Sequence, residues 1–393
     1  MSQQLINHSS DLKKLQDEGY DIEIKSNYLL IKNIPYVNSE KVILFGTLVS
    51  ELSLAGDKTI KPNTHVVYFS GEHPCNKDGS KMVKIQHQSG KKQFDLDILT
   101  HHSFSSKPSG NYKDYYHKMT TYIAIISSPA HSIDPNVTAK TFPVIQSKDG
   151  ESVFRYRDTA SSRAAINLVT RKLELGKVGI IGLGGTGSYI LDLLAKTPVK
   201  EICIFDGDKF SQHNAFRAPG APSVDELKEE PKKVICLKNI YSKMHRNIVA
   251  HDFHINESNI GLLRDMDFIF LCLDRGEIKR PIIEKLELFG IPFIDVGMGV
   301  NLVDNTLYGL LRVTTSTNNS REQTSSKNRI PFSDGDEANE YSKNIQIADL
   351  NALNAALAVI KWKKIFGFYK DLENEHFSVY ITDGNTLINE DLL

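Results

Sequence analysis

Arg217, Lys232 and Asp274 raise the first chemical question. They follow a glycine-rich stretch, "IIGLGGTGSYI" at residues 180–190, and the segment "EICIFDGD" places Asp206 and Asp208 ahead of Asn214. A guanidinium can fork across two phosphate oxygens, an ammonium can balance the β- and γ-phosphates as a point charge, and a carboxylate can hold Mg²⁺ against phosphate oxygens. A cation about 4 Å from a phosphate oxygen is worth about 4 kcal/mol at an effective dielectric constant of about 20. Such a set suits attack of a carboxylate on the α-phosphate of ATP, where the attacked phosphate and the departing pyrophosphate both need counter-charge. Hydride transfer has no use for it.

The elements that must position these groups are legible around them. "KVGIIGL" reads as a buried strand and Thr186–Lys196 as a helix, with the glycines between. Gly182 permits the tight turn, Gly184 leaves room for a phosphate, and Gly187 lets the helix pack close to the strand. The helix start then offers unpaired N–H groups to an anion. Asp206 ends the next strand about 20 residues on, where a carboxylate can accept from ribose hydroxyls. Beyond it the pattern predicts a helix over Asp225–His245, a strand at "MDFIFLCLD" ending in Asp274, a helix over Glu277–Phe289 and a strand at "PFIDVGM". An antiparallel segment "TLYGLLRVTT" follows, then a long polar loop at about 314–342, a long helix over Ile345–Phe366 and a C-terminal hairpin turning at Asp383 and Gly384. Alternating strands and helices imply a Rossmann-like, doubly wound α/β domain with a mainly parallel sheet and an antiparallel C-terminal extension, over residues 154–393.

The first 145 residues read differently. Short alternating segments such as "NYLLIKNI", "KVILFGTL", "HVVYFSG" and "TYIAII", set between Gly, Asn and Pro, predict a mainly β or α+β domain, followed by a polar linker with two prolines. In 393 residues, 47 Lys and Arg against 48 Asp and Glu give a net charge of −1, so neither nucleic acid nor an anionic membrane is the expected partner. The longest apolar runs fall short of the ~20 residues a bilayer needs, and residues 1–18 have no apolar signal-peptide core. A soluble, cytoplasmic protein is expected. The four cysteines, Cys75, Cys203, Cys236 and Cys272, form no C-x-x-C pair; Cys203 and Cys272 sit in apolar strands as small hydrophobes.

In order and spacing, the second half resembles the ThiF/MoeB superfamily of adenylating enzymes, which includes ubiquitin-activating enzymes. The resemblance rests on "GLGGTG" at Gly182, Gly184, Gly185 and Gly187, on Asp206 and Asp208, on Asn214 and Arg217, on Lys232, and on Asp274 with Arg280. It implies ATP bound by these glycines and by Asp206, Asp208, Asn214, Arg217 and Lys232. It further implies Mg²⁺ at Asp274, with Arg217, Lys232 and Asp274 catalytic, and adenylation of a protein's C-terminal carboxylate, commonly that of a ubiquitin-like protein in a bacterial modification pathway. A homodimer is implied too, in which Arg155, Arg157 or Arg163 reaches the neighbour's site. The N-terminal domain would recruit the substrate or a conjugating-enzyme-like partner. Other acceptors, namely a sulfur carrier, a peptide or a tRNA base, and a scaffold without turnover, are the alternatives.

The sequence departs from that family in two places. It lacks the zinc-binding cysteine pairs, so no structural zinc is expected. The long loop where thioester-forming members carry a cysteine has none, leaving direct transfer of the acyl-adenylate or an oxyester on Thr314, Thr315, Ser316 or Ser320. In the N-terminal domain, His73, Cys75, His101 and His102 stand in turn-like surroundings as metal or nucleophile candidates, and the tyrosines of "NYKDYYHKM" are candidates for an interface.

Overall fold

Alternation of apolar residues pulls the N-terminal segment into strands that share one buried face. The computed structural model describes residues 2–390 except 96, 109, 148–149, 151, 275 and 333–344. It divides into two compact units, Met1–Ile145 and Gln146–Leu393. In the first, α1 (Ser2–His8) and α2 (Ser10–Asp17) precede β1 (Ile22–Lys25), β2 (Tyr28–Val37), β3 (Ile43–Glu51), the short pair β4 (Leu54–Ala55) and β5 (Lys58–Thr59), β6 (Val66–Ser70), β7 (Gln86–Asp95), β8 (Ile98–Ser105) and α3 (Tyr115–Ile133). The sheet is antiparallel in the order β1-β2-β3-β6-β8-β7. A register shift between Ile31 and Ile34 resets the alternation, so that Leu29 and Ile31 before it, and Ile34 and Tyr36 after it, all reach one core.

That core is closed by α3, and here the sequence expectation needs correcting. "TYIAII", predicted as a strand, lies inside this helix: Met119, Tyr122, Ile123, Ile126 and Ala130 recur at helical spacing and are all buried. Asp114 caps the helix by accepting from His117 N at 2.7 Å. Of the three tyrosines offered as interface residues, two are internal and Tyr116 is half-buried. Tyr112 and Tyr115 are buried, Tyr112 donating to Ser106 O at 2.7 Å and Tyr115 accepting from Ser53 N at 2.6 Å. Tyr116 donates to Glu18 at 2.8 Å.

The second unit begins with α4 (Thr159–Arg163) and α5 (Asn167–Thr170). It continues through β9 (Lys177–Ile181), α6 (Gly185–Leu194), β10 (Glu201–Phe205), α7 (Gln212–Ala215), α8 (Val224–Lys228), α9 (Lys233–Tyr241), β11 (Ile248–His251), β12 (Phe268–Leu271), α10 (Gly276–Phe289), β13 (Phe293–Val303) and β14 (Thr306–Ser316). It ends with α11 (Arg321–Ser326), α12 (Ala348–Ile365), β15 (Phe377–Ile381) and β16 (Thr386–Glu390). The sheet runs β11-β10-β9-β12-β13-β14-β15-β16, parallel from β11 to β13 and antiparallel beyond. This is a Rossmann-like α/β fold with a mixed sheet, preceded by an antiparallel β domain. Alternation along β9 sends Val178 and Ile180 to the face covered by α6 and α12, where Trp362 is buried, and Ile181 to the face of α10.

Two expected elements differ. The helix predicted over Asp225–His245 is split into α8 and α9, because Pro231 lacks the N–H an interior helical position must donate. The predicted polar loop starts as strand: Thr314, Thr315 and Ser316 belong to β14, and α11 follows. Residues 333–342 of that loop lie outside the described residues.

Candidate active site

The glycine turn between β9 and α6 is made by close backbone approach. Gly182 has φ +90°, and a Cβ there would fall 2.6 Å from Cys272 O; one at Gly187 would fall 2.0 Å from Gly182 O. Side chains at these positions would force the turn apart. Gly185 packs as closely against the Asn351 side chain, while Gly184 faces open space. The turn is fastened by Asp206, which is buried: its two carboxylate oxygens accept from Leu183 N at 2.7 Å and Asp208 N at 2.9 Å. The carboxylate expected to read ribose therefore serves as a clamp on the turn, and Asp208, more exposed, also lines the cleft.

A cleft of about 1240 Å³ opens over this turn. Gly182, Gly184, Gly185, Asp206, Asp208, Arg217 and Asp274 all line it, at the carboxyl ends of the parallel strands. The strand order fixes why. The chain leaves β9 for β10 and β11 on one side and later returns to β12 and β13 on the other, which makes the end of β9 the switch point where α/β sheets bind ligands. Asp208, Arg217, Lys233 and His254 come from the β10–β11 side, and Asp274, Lys279 and Arg312 from the β12–β14 side.

Of the adjacent pair Lys232 and Lys233, the one that lines the cleft is Lys233. Its buried Nζ lies 2.7 Å from Asp208 Oδ2 and 3.7 Å from Asp206 Oδ1. The ammonium of Lys233 holds the Asp208 carboxyl below the usual carboxylate range, against the opposing effect of burial. Lys232, singled out from the sequence, faces elsewhere: it is the N-cap residue of α9, its Nζ donates to Gly207 O at 2.8 Å and pairs with Asp252 at 3.0 Å, and it does not line the cleft. Two adjacent lysines after a proline are equivalent in composition, and only burial separates them. Asn214 also turns inward, its Oδ1 accepting from Ser211 N at 2.8 Å within the cap of α7.

Arg217 carries the most informative atom. Its Nε is buried and has no hydrogen-bond partner among the described residues, although the side chain lines the cleft. A buried guanidinium N–H without an acceptor is costly, and an anion entering beside Lys233 would satisfy it. For a divalent cation, Asp274 fits the chemistry of magnesium. It is an exposed carboxylate on the loop after β12 that lines the cleft, and magnesium combines one or two protein carboxylates with phosphate oxygens and water. Asp206, Asp208 and His254 also come together within 4.8 Å, but the Lys233 ammonium already sits on those carboxylates. They do not form a cation site.

The remaining candidates stand apart from the cleft. Thr314, Thr315, Ser316 and Ser320 are buried and none lines it, and Ser320 Oγ accepts from Thr317 N at 2.9 Å. Hydroxyls sealed in this way are closed to an acyl group. Arg155 donates to Ser242 O at 2.5 Å, Arg157 donates to Ser162 Oγ at 3.3 Å, and Arg163 ends α4; none lines the cleft, nor does Arg280, which lies over the Phe332 ring. All four cysteines are free, and burial raises every thiol above its ordinary range, Cys203 to about 12. In the first unit, His73, His101 and His102 pack ring against ring beside Phe104, and burial holds His102 down to about 4. Cys75 is buried with its thiol donating to His73 O at 3.3 Å, so the group reads as packing.

Sequence reasoning missed Lys279, Asp295 and Arg312. Asp295 is fully buried and pairs with Lys279 Nζ at 2.8 Å and Arg312 Nη2 at 2.7 Å, and both cations line the cleft. They come from α10, β13 and β14, so only the folded sheet brings them together.

Two family models match the chain, and several solved structures are similar to it. Residues 10–159 match a domain of unknown function, DUF6791, and residues 157–336 match the ThiF family. No curated protein sequence matches the chain. Among solved structures, MccB of E. coli is similar at 18% identity over 60% of this chain and 67% of that one, with a TM-score of 0.46. Its ATP complex is similar at 19% identity over 59% and 67%, with a TM-score of 0.45. PaaA is similar at 19% identity over 57% and 76%, with a TM-score of 0.44. The chain therefore carries a ThiF family domain at residues 157–336, behind a DUF6791 domain at residues 10–159.

Proposed function

We propose that the second unit binds ATP with Mg²⁺ and transfers AMP to the C-terminal carboxylate of a ubiquitin-like protein. The observation that carries the reading is the unpartnered, buried Nε of Arg217, set in one cleft with Lys233 and the glycine turn. The match of residues 157–336 to the ThiF family supports an adenylyltransferase as the class of activity. In the reaction a carboxylate oxygen attacks the α-phosphorus, a phosphorus–oxygen bond of the anhydride breaks, and pyrophosphate leaves with the electron pair. The products are an acyl-adenylate and pyrophosphate. The N–H groups at the start of α6 and the Arg217 guanidinium take phosphate oxygens, Lys233 offsets charge gathering on the leaving group, and Asp208 accepts from ribose hydroxyls. Asp274 would hold the magnesium, which when bound neutralises phosphate charge.

The buried hydroxyls of β14 and the raised thiols favour handing the acyl-adenylate directly to a second protein, such as a conjugating-enzyme-like partner. The same reading keeps a cytoplasmic homodimer in which an arginine of residues 155–163 reaches the neighbouring copy, and a first unit that recruits the substrate. No helix among the described residues is long and apolar enough to cross a membrane.

Pyrophosphate exchange into ATP tests the reading. Exchange that depends on a ubiquitin-like protein ending in Gly-Gly supports it. Exchange only with a peptide, a sulfur carrier or RNA moves the substrate class, and ATP binding without exchange leaves a scaffold. Asp274→Ala should abolish exchange while the melting temperature stays within a few degrees; full activity in that variant would overturn the magnesium assignment.

A further inference from the structure

Three side chains at the β10–β11 side of the cleft are committed to different degrees. Both oxygens of Asp206 accept from the backbone around the glycine turn, and Asp208 Oδ2 is held by Lys233 Nζ. Asp208 Oδ1 instead faces the imidazole of His254, whose Nε2 lies 3.5 Å away. That separation is longer than a normal hydrogen bond, so each of the two atoms keeps capacity for a third group set between them. His254 is mostly exposed and lines the cleft beside Asp208. Two features seat the ring there. His254 follows β11, and its carbonyl accepts from Asn259 Nδ2 at 2.9 Å, which closes the loop behind it. Gly207 lies between the two aspartates, and a Cβ there would fall 2.9 Å from Cδ2 and from Nε2 of the imidazole, so the ring occupies the side-chain space that Gly207 leaves.

A carboxylate oxygen next to an imidazole nitrogen complements two hydroxyls on neighbouring carbons. One hydroxyl donates to Oδ1, and the other exchanges a hydrogen bond with the ring nitrogen, which serves a hydroxyl in either tautomer. The same loop brings Asn256 and Glu257 to the cleft. Asn256 Oδ1 is already engaged by Ser258 N at 2.9 Å, which leaves Glu257 as the one other carboxylate of the loop to be compared. Resting on the nucleotide reading above, we infer that His254 is a second ribose reader, taking one hydroxyl of the nucleotide while Asp208 Oδ1 takes its neighbour. The cleft would then select ribonucleotides over their deoxy counterparts through a contact that Asp208 alone does not supply.

The test is calorimetric titration of the full chain, in the presence of magnesium, with a non-hydrolysable ATP analogue and with the two analogues that each lack one of the ribose hydroxyls. The wild type should bind either deoxy analogue roughly fivefold to tenfold more weakly, the scale of one hydrogen bond. In His254→Ala one of the two penalties should vanish and the other persist. Gly207→Ala keeps the imidazole but pushes it from its seat, and should shrink the same penalty. Glu257→Gln should leave both in place. Equal affinity of the wild type for all three ligands, both penalties intact in His254→Ala, or a penalty lost in Glu257→Gln would each overturn the inference. Loss of both penalties together in His254→Ala would overturn it too, because the imidazole would then act only by holding Asp208. In all of these outcomes ATP binding itself stands; failure of the ATP analogue to bind the wild type would instead overturn the nucleotide reading, and this inference with it.

Discussion

Lys233 Nζ lies 2.7 Å from Asp208 Oδ2 inside the cleft, whereas the ammonium of Lys232, one residue earlier, pairs with Asp252, and neither of those two lines the cleft. The two side chains separate because Lys232 has the extended backbone of a cap residue, φ −63° and ψ 139°, and Lys233 is the first residue of α9. Lys233→Met should lower pyrophosphate exchange by about 100-fold, the scale for removing one group aimed at developing charge. Lys232→Met loses a partly exposed ion pair and should change exchange by less than about threefold. Steady-state exchange rates on both variants decide the matter; a larger loss in the Lys232 variant would reverse the assignment.

A second prediction concerns the first unit. Lys118 of α3 is fully buried and donates to Ser50 Oγ at 2.9 Å and Val66 O at 2.8 Å, and burial lowers its pKa to about 8. In the unfolded chain the amine keeps its proton to the ordinary value of 10.5. Between these values the unfolded state binds more protons, so stability of this unit should rise as pH climbs from about 8 to about 10.5, by up to about 3 kcal/mol. Lys118→Met should flatten that slope and stabilise the unit at pH 7. Urea titrations followed by tyrosine absorbance measure it, with the fluorescence of Trp362, the single tryptophan and a residue of the second unit, as an internal reference. A slope unchanged in the variant would contradict the account.

A third follows from Asp295. Removing the one carboxylate shared by Lys279 and Arg312 leaves two cations confined together, so Asp295→Ala should destabilise the second unit by about 3–5 kcal/mol. Adding Lys279→Met should restore part of that loss, because one of the two uncompensated charges is then gone. Chemical denaturation monitored at Trp362 compares the single and double variants; additive losses would show that the triad is not a coupled unit.

The parts of this site that were legible in the sequence are local ones. A strand, a glycine turn and a helix within 20 residues announce themselves by period and by Gly182 and Gly187, because each of these glycines answers a contact within the turn or at the adjoining strand end, while Gly184 leaves the turn open. What the sequence left hidden depends on long-range order. Nothing local distinguishes Lys233 from Lys232, and nothing local links Lys279 to Asp295 and Arg312, which meet only because β13 pairs parallel with β12 and antiparallel with β14. β11 (Ile248–His251) went unread. "TYIAII" was ambiguous because a short apolar run fits a strand and a buried helix face equally, and Tyr112, Tyr115 and Tyr116 in "NYKDYYHKM" turned out to be core and hydrogen-bonding groups. Thr315 and Ser316 read as loop by composition, yet pairing with β13 buries them.

The central claim is that a triphosphate occupies the cleft at Arg217 and Lys233. Calorimetric titration of the intact chain with a non-hydrolysable ATP analogue and magnesium, and separately with NAD, tests it most directly. The account predicts binding of the ATP analogue, weakened at least tenfold by Arg217→Ala, and no binding of NAD. Binding of NAD, or ATP-analogue affinity indifferent to Arg217, would contradict it.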